Sequence, residues 1–294
     1  MFFAPPPAGV VEPEIVLEGG PARRLRDALE PIAMHAVWCE RTNERLAGAY
    51  GLDFLGAYVW GRASALGEPA AGTVVATFAV FAPPMITAVY EGARAKVGWA
   101  DLVATRDQAT GESLRELLGG AEVDKVTAIL RRGIEAADPA GRPLFAGLAA
   151  RDWPSDPYAR LWRACDILRE HRGDSHVAAC VAAGLDGTEM NILTELWLGM
   201  PLFAYSATRG WTPEQLQAAA DRLRGRGLLY YDHAITPAGQ EFRTAIEQQT
   251  DLAQQSVVDA IGADLDGVIE QLNTWSATLV GTAFPPDVLK RAAG

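Results

Sequence analysis

The stretch "WTPEQLQAAADRLRGRGLLYYDHAITPAGQEF", Trp211–Phe242, decides how the chain is read. Thr212 before Pro213, and Thr236 before Pro237, each pair a hydroxyl N-cap with proline at the first helical position, so two helices start here. Leu216, Ala219, Ala220 and Leu223 recur at the three- and four-residue spacing of one helical face. Between the two helices "YYDHAIT" leaves room for no more than a tight β-turn. Upstream, "GLDGTEMNILTELWLG" reads as a helix and "PLFAYSATRG" as a short connecting helix or turn. That order of helix, short helix, second helix, small wing and long helix predicts a winged helix-turn-helix over residues 184–250.

Outside this region helical periodicity prevails and strand signal is weak, so the fold class expected is all-α with a small β-wing. Residues 1–20 read as a flexible Pro-rich arm with neither the basic start nor the apolar core of a signal peptide. Residues 21–183 read as a helical domain carrying the ligand pocket, and 251–294 as a C-terminal helix (about 251–281) and tail. Within the helical domain an amphipathic pattern runs from Ala22 to Leu46, with a break expected at Pro31. "GLDFLGAYVWGRASAL", Gly51–Leu66, is an aromatic, glycine-rich helix, and further helices are expected at about 99–118, 122–137 and 156–172. Pro69 to Tyr90 carries no charge and is long enough to span a bilayer. Pro83 and Pro84 cut it into two short pieces, which reads as two buried helical segments and no membrane span.

Two parts of the sequence carry a resemblance. "LRGRGLL" followed by "ITPAGQEF" is similar to the end of the recognition helix, the wing and the next helix of MarR-type regulators. "LWRACDILREHRGDSHVAACVAAGLDGTE" running into "TRGWTPEQL" resembles an actinobacterial family of helix-turn-helix-domain proteins. That family carries a "HAV" element, matched here by His35-Ala36-Val37, and an aromatic "GY…R…PLG" element, matched by Gly56-Ala57-Tyr58 through Arg62 to Leu66-Gly67. The resemblance spans roughly residues 25–275; it departs from the pattern at Ala65, where proline is expected, and in its very short wing. It implies a fold and no agreed activity.

The charge balance disfavours DNA as the main partner. The chain has 26 Lys and Arg against 37 Asp and Glu, a net charge of −11, whereas duplex affinity rests on basic residues neutralising phosphates. Within 184–250 five arginines face eight acidic residues, and the N-terminal end of the would-be recognition helix is "TPEQLQ". Gln215 and Gln217, with Arg222 further along, are the residues that would contact DNA if the segment reads it as a MarR-like dimer, but Glu214 would face phosphates and the wing holds no arginine. Three widely separated cysteines without a CxxC motif fit a reduced, cytoplasmic protein.

Candidate chemistry lies in the helical part. "LREHRGDSHVAAC" holds two of the chain's four histidines. A helix ending near Gly173 and a new one capped by Asp174 or Ser175 would put His171 at a C-terminus and His176 at an N-terminus. The helix ends would then favour protonation of His171 over His176, so His171, His176 and Asp174 are the catalytic candidates for acid–base work; the alternative is that Asp174 caps, His171 caps a carbonyl and His176 hydrogen-bonds across the core. The five-residue spacing is not that of a zinc helix, and neither a metal nor a cofactor is expected. Phe54, Tyr58 and Arg62 share a face. Arg62, among residues that read as buried, either pairs with an internal carboxylate such as Asp53 or Asp174, or faces a cavity and holds an anionic or carbonyl-bearing ligand. His35 and Trp60 complete that candidate ligand set, Trp60 lying off the shared face. His233, in the wing turn, is expected to be exposed. The function expected is small-molecule binding, extending to histidine acid–base catalysis, with the winged helix as a structural module. The alternatives are a ligand-responsive regulator binding DNA as a dimer and a non-catalytic interaction protein.

Overall fold

The computed structural model describes residues 19–284, so most of the Pro-rich arm and the end of the tail lie outside the described residues. Its helices are α1 (Pro21–Ala33), α2 (His35–Trp38), α3 (Glu40–Tyr50), α4 (Phe54–Ala63), α5 (Ala71–Phe78), α6 (Pro83–Arg94), α7 (Trp99–Leu117) and α8 (Asp124–Ala136). They continue with α9 (Pro143–Ala149), α10 (Pro157–Ala182), α11 (Gly187–Trp197), α12 (Pro213–Gly225), α13 (Pro237–Leu252), α14 (Gln255–Ile261) and α15 (Leu265–Leu279). The all-α class holds. Asp156, Thr212 and Thr236 cap α10, α12 and α13 as their side chains predict, each with proline following.

The differences from expectation have local causes. The expected β-wing reduces to one bridge, Leu229 to Ile235, and no β-strand forms among the described residues. Five residues between the bridged pair leave no length for a ladder, and His233 closes the turn with φ of 71°. His233 is half-buried rather than exposed. Pro31 lies inside α1, and the chain breaks instead at Met34 and Cys39. The C-terminal helix is two helices, parted at Gly262, whose φ of 62° no other residue type adopts readily.

The largest difference is α10, which does not stop at Gly173 but runs for 26 residues to Ala182. A mid-helix glycine costs about 1 kcal/mol relative to alanine. Here neighbouring residues are fixed from outside: Glu170 by Arg62, Asp174 by the N-terminus of α9, and Arg172 by Glu247. Those tertiary contacts outweigh the glycine.

Buried apolar side chains form two main clusters. The larger gathers residues from α1 to the first half of α10 and takes in α14 and α15, which pack back on α8 and α1. The smaller is built from the end of α10, α11, α12, Leu228, Leu229 and Ile246. α10 contributes to both, through Leu161 to Leu168 and through Cys180. No described helix is long and apolar enough to cross a membrane.

Candidate functional site

Because α10 is continuous, His171 and His176 occupy interior turns, and neither finishes a helix end. His171 Nδ1 lies 2.6 Å from Gln254 Oε1, and its ring meets Phe145 edge-on. His176 Nδ1 lies 3.0 Å from Thr250 Oγ1 and 3.6 Å from Glu247. Burial lowers both imidazoles, and Arg243 adds to it at His176, which falls to about 3. Asp174 accepts from the backbone N–H groups of Leu144 and Phe145, so it caps α9 rather than a helix of its own. α9 has no cap from its own N-cap residue, Arg142. Burial pushes the Asp174 carboxyl up to about 6, with Glu170 acting in the same direction. His35, buried and lowered to about 4 by that burial, meets Ser113 Oγ at 3.0 Å.

Arg62 pairs with Glu170 in a two-bond fork, both contacts 2.8 Å. The sequence suggests Asp53 or Asp174 as partners; Asp53 is occupied in capping α4 and Asp174 in capping α9. Arg62 and Tyr58 also line a cavity of about 20 Å³, room for a single water, together with Arg106, Asp166, Arg169 and Glu170. Phe54, Trp60 and His35 are not part of its wall. Phe54 packs on Trp38, and Trp60 donates to Val97 O. Arg106, Asp166 and Arg169 were not singled out from the sequence. For Asp166 and Arg169 the signal was charge recurring every three or four residues along an otherwise apolar "LWRACDILRE"; Arg106 lies on α7, outside that stretch. Asp166 makes no hydrogen bond or ion pair to another described residue, and burial, then Glu170, push its carboxyl up to about 6.

A far larger space lies between α10 and α13. Here a groove of about 490 Å³ is walled by Ala178, Ala179, Ala182 and Ala183 on one side and by Phe242, Ala245, Ile246, Gln249 and Ala253 on the other. The helices run antiparallel, since Ser175 meets Gln254, His176 meets Thr250, and Arg226 holds the Ala183 carbonyl while stacking on Phe242. One end of the groove is therefore lined by Ala183 and Phe242, with Arg226 behind them and spent on the Ala183 and Gly184 carbonyls. The other is closed by Ala140, Gly141 and Arg142 above Ser175. Arg142 Nε donates to Ser175 Oγ, and its Nη1 to the carbonyls of Asp138 and Ala140. Ser175 Oγ donates to the His171 carbonyl and accepts from Gln254, so His171 stands directly behind this end.

On α12 the DNA-reading candidates are engaged within the chain. Gln215 completes a capping box with Thr212, Gln217 donates to Asp221, and Arg222 bridges Asp186 and Glu189. Arg224 pairs with Asp221. Among the described residues no group of three His, Cys, Asp or Glu is arranged to hold a metal.

No curated protein and no solved structure matches the chain. The profile of the Helix-turn-helix family matches residues 22–286, nearly the whole length and not the α11–α12 segment alone, and the chain belongs to that family.

Proposed function

We propose that the protein binds a small, largely apolar molecule in the groove between α10 and α13, with its helix-turn-helix segment acting as a structural module that walls the groove. The observation that carries this is the groove itself, whose volume lies within the range of small-molecule sites and whose walls are almost wholly apolar. It sits where the helical part meets the helix-turn-helix. The acidic balance of residues 184–250 and the internal engagement of Gln215, Gln217 and Arg222 support a structural role for that segment. His171 enters this reading as a positioning residue behind Ser175.

The test uses Nile red, a neutral apolar fluorophore. Its emission is expected to rise on addition of the wild-type protein and to stay at the solvent level with Ala179→Trp, which fills the groove. Equal emission with both proteins would sink the proposal. The second reading, a MarR-like regulator acting as a dimer on DNA, has the family membership and the exposed Gln217 and Arg222 in its favour. Fluorescence anisotropy with a labelled duplex from the protein's own upstream region separates the two. Salt-sensitive binding that Arg222→Ala weakens would favour the regulator.

A further inference from the structure

The polar end of the groove carries one group the fold leaves unused. Arg142 is a positive charge held in a fixed pose: three hydrogen bonds to Ser175 Oγ, Asp138 O and Ala140 O occupy Nε and Nη1. Its Nη2 donates to no described residue. The carboxylate within ion-pair reach, Asp138, is exposed and stands 3.9 Å from Nη1, so the charge is only partly met. The side chain is 15% exposed, and among the described residues Arg142 is the one charged residue that lines the groove. Ser175 offers nothing further to a ligand, since its hydroxyl donates once and accepts twice. Gln249, exposed and with no side-chain hydrogen bond to another described residue, is a further polar side chain of the wall.

Away from Arg142 the walls are alanine, isoleucine and phenylalanine. From Ser175 to Ala183 the axial rise of α10 is about 12 Å. Among its lining residues the site therefore offers one fixed cation at one end, then an apolar trough about that long, with Arg226 outside the wall at the far end and engaged by two carbonyls. A guanidinium with a free N–H favours a carboxylate over an alcohol, through a charge-assisted hydrogen bond, and repels an ammonium group.

Resting on the small-molecule reading above, we propose that the ligand is an unbranched or flat apolar carboxylate of medium length, its head on Arg142 Nη2 and its tail along the alanine face of α10 toward Phe242. Gln249 is placed to donate to the second carboxylate oxygen. The Ser175–Gln254–His171 chain holds the guanidinium in position and makes no contact with the ligand.

The experiment is isothermal titration of the full-length protein with decanoate, decan-1-ol and decylammonium, probes of one chain length and three head charges. Decanoate is expected to bind with one-to-one stoichiometry, at least tenfold more tightly than the alcohol, and decylammonium more weakly than either. Arg142→Gln is expected to bring decanoate down to the alcohol's affinity. Should that variant unfold, Gln249→Glu, at an exposed position, keeps the test alive: it adds a like charge beside the head and is expected to weaken decanoate at least fivefold while sparing the alcohol. Equal affinity for the three probes, or decanoate binding unchanged in Arg142→Gln and Gln249→Glu, would overturn the carboxylate assignment and leave the groove reading standing. Failure of all three probes, or binding that Ala179→Trp does not disturb, would overturn the groove reading as well.

Discussion

α10 and α13 meet along two edges that could hardly differ more. Along one, Glu247 is gripped by Arg172, Arg243 and Arg23, the last reaching in from α1, with His176 beside them. Along the other, alanines face a groove with little but empty space between the helices. The positions alternate on the same turns: Arg172, His176 and Cys180 serve the ionic seam, while Ser175, Ala179 and Ala182 serve the groove. The comparison teaches that the two helices are not held apart by poor packing. The seam fixes their separation, and the small side chains on the other edge then leave a space that larger ones would close.

The largest expected effect tests the seam. Glu247→Ala removes the carboxylate that three buried guanidiniums share, leaving Arg172 with Asp251, Arg23 with the half-exposed Asp27, and Arg243 with no carboxylate among the described residues; breaking such a cluster costs about 3–5 kcal/mol. Urea unfolding should show a loss of that order; a loss near that of a surface substitution would mean that the apolar contacts, not the ions, set the spacing. Gln254 lies between the two edges, bonded to His171 on one hand and Ser175 on the other. Gln254→Leu strands the buried His171 Nδ1 and is expected to cost about 1–3 kcal/mol. It should also loosen Arg142 by removing a partner of Ser175, so decanoate affinity should fall with stability. A stability loss with unchanged affinity would separate the groove from the network behind it.

The seam also predicts a pH dependence. Burial, then Arg243, lowers the His176 imidazole to about 3, against an ordinary value near 6.5 in the unfolded chain. The folded protein therefore refuses a proton that the unfolded chain takes up. The resulting stability is fully present above about 6.5 and is lost as pH falls toward 3. His176→Gln removes that contribution, so its urea midpoint should fall less than the wild type's between pH 7 and pH 4.5. Parallel curves would mean that His176 takes its proton in the folded state, with Glu247 as acceptor.

How much of this was readable in advance follows from the range of each interaction. The caps at Asp156, Thr212 and Thr236 depend on residues two or three positions away and were visible as sequence. That Arg62 would need an acceptor was also visible, because it reads as a guanidinium among buried residues; whether a carboxylate of the chain or a ligand would supply it stayed open, because Glu170 lies 108 positions along. Gly173 misled for the opposite reason. A glycine beside Asp and Ser is a helix stop by every local rule, and only the partners of Glu170, Arg172 and Asp174, all from other elements, carry α10 through it. The groove had no local signature at all. The alanines of α10 read as ordinary helix formers until α13 stands opposite them.

Adjacent positions on α10 give the finest test, where the expected change is smallest. Ala179 faces the groove, whereas Cys180 is buried against the seam with its thiol 3.5 Å from His176 Nε2. Ala179→Leu adds its carbons to open space, so stability should change by no more than about 0.5 kcal/mol. Nile red and decanoate binding should nevertheless weaken, because the added side chain takes ligand volume. Cys180→Leu forces a larger side chain into filled space and is expected to cost about 1–3 kcal/mol. It should leave ligand binding nearly unchanged in the protein that remains folded. Stability and binding thus move independently at neighbouring residues if the two edges are what they look like: one built to be full, the other left to be filled. Should both substitutions destabilise alike, the groove would be closed in solution and the contrast between the edges would fail.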